Sequence, residues 1–177
     1  MMKHLQKLGK AMMLPVAALP ICGILMGLGY ALAPAAMGAA GATTGFAYVL
    51  GVFLIKAGAA LIDNMAILFA IGVGVGLAKD NDGTAGLAGM VSYLMMTTLL
   101  APGTVSTIAP FMINEINSVA YAKTAGNAFI GILGGIIGGV CYNKFKGTKL
   151  PDFLAFFSGK RAVAIVTAVV SIVVSAI

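Results

Sequence analysis

The sequence has no tryptophan, one histidine, two cysteines and only five acidic residues in 177. Charged residues make up 9% of the chain, where a soluble domain carries roughly 25%. Eleven basic and five acidic side chains are too few to cover a water-exposed surface of this size. With 60% hydrophobic residues, intrinsic disorder is excluded by the same imbalance. His4 lies among Lys3 and Lys7 with no carboxylate or cysteine nearby in the sequence, which leaves a general-base or phosphate-acceptor role without support. Cys22 and Cys141 both sit inside apolar runs and show neither CxxC nor Cys/His spacing. They read as small packing residues, and no disulfide, metal site or cofactor is expected. There is no Ser/His/Asp set and no paired-carboxylate arrangement, so no catalytic residue is assigned. Aromatics are not interleaved with the basic residues at stacking spacing, which excludes nucleic-acid binding.

What is abundant is glycine, 24 residues, in a chain whose mean hydropathy is +1.05. That combination predicts closely packed helices inside lipid: an all-α, polytopic transmembrane helix bundle with about five membrane-spanning segments, one of its helices broken or interfacial. The first apolar run, Ala11 to Ala33, has 23 residues without a charge. At about 1.5 Å per residue it could cross a hydrocarbon core of about 30 Å, with Pro15 and Pro20 bending it locally. It is too long for the apolar region of a signal peptide. Phe46 to Ala78 is 33 residues long and is interrupted by Lys56, Asp63 and Asn64. Two arrangements fit it. Either a helix on or partly in the membrane breaks at Asp63-Asn64 and a span follows from Met65 to Ala78, or one helix runs through at a strong tilt. Lys79-Asp-Asn-Asp-Gly83 lacks the full calcium-loop pattern and reads as a solvated turn. Thr84–Ala101, Gly126–Tyr142 and Ala162–Ile177 supply the remaining spans.

Basic residues fix the expected orientation. With the N-terminus inside, the first ten residues, the Lys79 turn and the stretch 143–161 hold three, one and five Lys or Arg. The two opposite loops hold none and one. A cytoplasmic N-terminus follows.

Gly131, Gly135 and Gly139 recur every four residues, with Gly134 and Gly138 one strip over; Gly23/Gly27 and Gly72/Gly76 are further pairs. Small residues at this spacing let helix backbones approach, either within one chain or between subunits. Gly72 to Gly76 lacks the frame of a phosphate-binding loop. Asp63 with Asn64 is the one intramembrane polar pair, either a structural break or a weak candidate for ligand contact.

Three segments carry a resemblance. Gly9-Lys-Ala-Met-Met-Leu-Pro-Val-Ala-Ala-Leu-Pro20 with Gly23-Ile-Leu-Met-Gly27, then Asp63-Asn-Met-Ala-Ile-Leu-Phe-Ala-Ile-Gly-Val73 running into Lys79-Asp80 and Gly83, and finally Leu150-Pro-Asp-Phe-Leu-Ala-Phe-Phe-Ser-Gly-Lys-Arg161 resemble, in order, the enzyme IIC permeases of the glucose superfamily in the sugar phosphotransferase system. Ala162-Val-Ala-Ile165 departs from the Phe-Val-Pro-Ile usual in that family. The resemblance implies that residues 1–177 are the N-terminal scaffold and dimerisation half of such a permease. The sugar-binding half is expected beyond Ile177, as is a homodimer in the bacterial cytoplasmic membrane. A hexose, N-acetylglucosamine or glucose, would be the substrate, and an enzyme IIB domain or subunit the partner that phosphorylates it. Lys149, Asp152, Lys160 and Arg161 would form the partner-docking loop. Lys149 to Asp152 and the Asp63-Asn64 region look nearer to the N-acetylglucosamine type. The chain alone is expected to be inactive. The competing readings are a stand-alone membrane protein that only associates with a full-length permease, and an unrelated channel, for which no charged ring or filter-like loop is present.

Overall fold

Proline sets the first break. Pro20 has no N–H to donate and its ring clashes with the carbonyl four residues back, so an α-helix arriving from residue 11 is kinked or broken there. In the computed structural model the described residues are 2–41, 43–112, 122–123, 126–149, 156 and 158–176. There the first apolar run is two helices, α1 (Met2–Val16) and α2 (Leu19–Leu32), with Pro20 in the first turn of α2, where a missing N–H costs nothing. The single bent crossing expected from Ala11 to Ala33 is thereby replaced by a break at Ala17-Ala18. A second break falls at Asn64, between α3 (Phe46–Asp63) and α4 (Met65–Leu77). Of the two arrangements open for residues 46–78, the structure has the broken pair. Then follow α5 (Gly83–Leu99), α6 (Pro102–Ile108), α7 (Ala128–Phe145) and α8 (Lys160–Ala176), with 3-10 turns at Pro34–Met37 and Pro110–Met112. The described residues contain no strand.

Two compact units result, Pro15–Asn64 and the combination of Met1–Leu14 with Met65–Ile177. In the first, α2 and α3 pack antiparallel through Gly29, Gly51 and Gly58. A Cβ on Gly29 would lie 2.7 Å from the Gly51 carbonyl oxygen, and one on Gly58 2.9 Å from that of Cys22. Gly23 and Gly27 have open space around them, so that pair does not carry the contact.

In the second unit α4, α5, α7 and α8 form the bundle. The two glycine strips of α7 divide their work. Gly131, Gly135 and Gly139 face α4, where a Cβ on Gly135 would come within 2.7 Å of Val73 Cβ and 2.8 Å of the Ala70 carbonyl oxygen. Gly134 and Gly138 face α5, with Tyr93 N 3.0 Å from a Cβ on Gly134. Small groups line the helix contacts, where Ala66, Ala70, Ala85 and Ala88 are fully buried, and Tyr142, Met96, Val73 and Val163 fill the space between them. A polar contact joins α5 to α8, where the Ser92 and Ser171 hydroxyls lie 2.8 Å apart and Ser171 also donates to the Thr167 carbonyl at 2.7 Å. Many other large apolar side chains point outward, among them Leu87, Leu94, Val140, Ile165, Val169 and Val173. Small residues at the helix contacts and an outer surface of large apolar side chains are what lipid, rather than water, selects.

By length and composition, α3 and α7 can each cross a membrane, and α5 with α6 makes a third candidate, bent by 64° at its break. The other apolar helices, α2 and α4, have 14 and 13 residues and so reach only about 20 Å. Against the five crossings expected, two or three helices among the described residues have the length and composition of a span. The expected second span, Met65–Ala78, is the shorter partner of α3, which was itself expected to be interfacial.

These contacts separate the glycines by consequence. Gly135→Ala should destabilise the bundle by about 1–3 kcal/mol, because overpacking outweighs the gain in helix propensity of up to about 1 kcal/mol. Gly23→Ala, in open space, should be neutral or mildly stabilising. Thermal unfolding of both variants in detergent checks the contrast.

Candidate functional site: the charged end of the helix bundle

The second unit gathers its charges at one end. Four helix ends meet there: the C-termini of α4 and α7 and the N-termini of α5 and α8. The three segments expected on one side of the membrane, namely the N-terminal residues, the Lys79 turn and the stretch from Asn143, are all brought to this end. Lys7 on α1 donates from Nζ to the carbonyls of Leu77 and Ala78 at 3.0 and 3.2 Å. A cation there satisfies orphan acceptors and complements the negative end of the α4 dipole. Asn143 on α7 holds the same corner from the other side, donating to the Leu77 carbonyl and accepting from Lys79 N, both at 2.9 Å.

The chain then reverses between α4 and α5. Asn81 adopts φ +50°, a left-handed conformation that asparagine tolerates better than most residues. The reversal aims two carboxylates. Asp80 receives Lys146 Nζ at 3.0 Å and the Tyr142 hydroxyl at 3.0 Å, while Lys146 also lies 5.3 Å from the centre of the Tyr142 ring. Asp82 is the N-cap of α5, accepting from Thr84 N at 2.8 Å through Oδ1, and its Oδ2 pairs with Lys160. Lys160 opens α8, where a cation is unfavourable against the helix dipole, and the carboxylate offsets this. Lys146 beside Asp80, with Tyr142 acting in the same direction, holds that carboxyl below its ordinary range. Lys160, followed by the Thr84 bonds, holds Asp82 further below it.

Between α7 and α8 the chain closes on itself, Gly159 N donating to the Thr148 carbonyl at 3.0 Å. Gly159 has φ +71°, which turns the backbone into α8. Lys149 is exposed beside this closure; Asp152 lies outside the described residues. Arg161 donates to the Phe156 carbonyl at 3.1 Å and stacks 4.6 Å from the centre of that ring. Of the docking residues expected from sequence, Lys160 and Arg161 are thus engaged by their own chain.

Asp63 and Asn64 are exposed in the first unit, and the Asn64 amide donates to the Ala60 carbonyl at 2.8 Å, capping its own helix. The backbone of His4 lies in α1. Cys22 and Cys141 are free and buried. Among the described residues no group of three His, Cys, Asp or Glu converges on a common point. The sequence reading missed Lys7, Asp80, Tyr142, Asn143 and Lys146 as a set. The signal available was an acidic turn, residues 80–82, in a chain whose neighbouring polar stretches are all basic.

The family model described as phosphotransferase system, EIIC matches residues 9–177. The chain belongs to this family. It is therefore an integral membrane chain, as the family's permeases are. It is 39% identical over its whole length to the N-acetylglucosamine-specific EIICB component of Bacillus subtilis (strain 168), covering 32% of that protein. It is 38% identical to the N-acetylglucosamine-specific EIICBA component of Escherichia coli (strain K12), over 97% of this chain and 22% of the relative. With the glucose-specific EIICBA component of Staphylococcus saprophyticus it shares 37% identity, over 97% of this chain and 26% of the relative. This EIIC-family chain spans about a third or less of the length of the curated relatives it matches.

The acidic pairs make the charged end sensitive to acid. Both carboxyls have folded pKa values below the ordinary carboxylate value of 3.8. Their contribution is therefore fully present above pH 3.8 and is lost as pH falls below it through the depressed folded values. Hydrogen exchange of the 79–83 amides should accelerate over that acid window beyond the intrinsic pH dependence of exchange, and Asp80→Asn with Asp82→Asn should remove the excess. Both pairs are exposed, so high salt should weaken the effect.

Proposed function

We propose that this chain serves as the N-terminal scaffold half of a sugar permease, translocating N-acetylglucosamine or glucose while an EIIB domain phosphorylates it. The observation that carries this is the EIIC match over residues 9–177 together with relatives named as EIICB and EIICBA components. N-acetylglucosamine appears in the names of two of them, and the Lys149–Asp152 segment resembles that type. The charged end faces the cytoplasm of a bacterial inner membrane in this reading, supported by the gathering of nine of the eleven basic residues in the segments assigned to one side. The groups that hold the sugar's hydroxyls belong to the part of the relatives this chain does not span. Here Asp63 and Asn64 are exposed, and Asn64 is occupied with its own helix. The glycine strip of α7 is already packed against α4, so a homodimer would use other faces, of which the outward apolar surface of α3 is one.

The docking role narrows accordingly. Lys160 and Arg161 shape the loop through Asp82 and Phe156, and Lys149 is left exposed to steer a phosphoryl-carrying partner.

A chimera tests both points. Replacing the corresponding segment of an N-acetylglucosamine-specific EIICB relative with this chain should preserve phosphoenolpyruvate-dependent phosphorylation of N-acetylglucosamine in membranes. A correctly inserted chimera with no phosphorylation of N-acetylglucosamine or glucose would overturn the assignment. In the active chimera, Lys149→Glu should slow phosphorylation severalfold at low salt and little at high salt, because screening removes steering. Equal rates at both salt concentrations would remove Lys149 from docking.

A further inference from the structure

One groove at the charged end lies beside the contacts made by Lys7 and Asn143. It has a volume of about 560 Å³ and lies where α1, the end of α4 and the outer side of α7 come together. Its floor is apolar, made by Leu8, Leu77, Ile136 and Val140. Its rim is cationic, with Lys7, Lys79 and Lys144 around the Asn143 amide. The chemistry of the rim is unbalanced. The Asn143 amide is engaged with Leu77 and Lys79, and Lys7 spends two of its three hydrogens on the Leu77 and Ala78 carbonyls. Lys79 and Lys144 are exposed and form no ion pair among the described residues. The carboxylates of Asp80 and Asp82, which could have neutralised them, are held by Lys146 and Lys160.

The geometry points to an anionic phospholipid as the occupant, its phosphate between Lys79 and Lys144 and the first part of its acyl chains over Val140 and Ile136. Two features select this class. A soluble anion would answer the lysines but leave the apolar floor in water, while a neutral lipid would cover the floor but leave two or three cations without a counter-charge. The site also stands at the right height. Val140 is 55% exposed on the outer side of α7, one of the helices long enough to cross a bilayer, and Lys144 follows one turn later, where the helix leaves the apolar region. Basic pockets between helices at a membrane face are a recurrent form of headgroup recognition, each lysine near the surface contributing about 1 kcal/mol, or about fivefold in affinity. The inference needs the bundle to span a bilayer and is independent of which sugar is carried.

Native mass spectrometry of the detergent-purified protein, titrated with phosphatidylglycerol or phosphatidylcholine, tests it. The first phosphatidylglycerol adduct should form at least tenfold more tightly than the first phosphatidylcholine adduct. Lys79→Gln with Lys144→Gln should abolish that preference, while Lys79→Arg with Lys144→Arg should keep it. Lys10→Gln with Lys149→Gln removes the same charge from exposed lysines outside the groove and should leave the preference intact. Equal loss from both glutamine pairs would show diffuse surface attraction and overturn the site. Displacement of phosphatidylglycerol by millimolar inorganic phosphate would overturn it in favour of a soluble anion. A dimer whose formation excludes the lipid would assign the groove to a second copy. Val140→Lys supplies an independent arm: charge is gained but the floor is lost, so the preference should fall despite the added cation. An unchanged or stronger preference would show that the apolar floor plays no part.

Discussion

The backbones of α4, α5 and α7 meet where Ala70, Gly89 and Gly135 come together, and the rest of the bundle depends on that approach. A Cβ on Gly89 would lie 3.2 Å from Gly135 Cα while also striking the Ala70 carbonyl, so no side chain fits between the three helices. In lipid the hydrophobic effect gives helices no reason to associate, and attraction must come from close van der Waals contact and from polar groups that find partners. Glycine and alanine supply the first; Ser92 with Ser171 supplies the second. Because the helices touch along their backbones, their ends arrive together, and the charged groups at those ends fall within hydrogen-bonding distance.

The glycine repeat of α7 was legible because a period of four puts its members on one helix face whatever surrounds it. Its partners were not legible, since a strip of glycines describes a surface without saying which helix lies on it. In the first unit the same limitation misdirects. Gly23 and Gly27 have the spacing, yet Gly29, Gly51 and Gly58 make the contacts, because the break after Val16 sets which face of α2 turns inward. Hydropathy likewise found the apolar segments but not where their helices break. It is blind to the loss of an N–H at Pro20, to the amide of Asn64 closing its own helix, and to the bend before Pro102.

The basic residues divide in a way that charge counting cannot foresee. Lys7, Lys146, Lys160 and Arg161 are employed in joining helix ends, whereas Lys79, Lys144 and Lys149 are exposed without an ion pair among the described residues. Sequence alone ranked Lys160 and Arg161 with Lys149 as interchangeable members of one loop. What sets Lys160 apart is Asp82 in the acidic turn, 78 residues earlier in the chain, and what sets Arg161 apart is Phe156.

The bond from Lys7 to the last carbonyls of α4 spans 70 residues of sequence. At a translation rate of roughly 5–20 residues per second, the lysine is made several seconds before its acceptors exist. During that interval it is a hydrated cation on a helix whose later residues are apolar. Once Leu77 and Ala78 emerge, the same ammonium becomes the fastener of α4. The contact that ties α1 to the end of α4 therefore cannot form until the whole of α4 has been made, and the closure of this corner waits on synthesis.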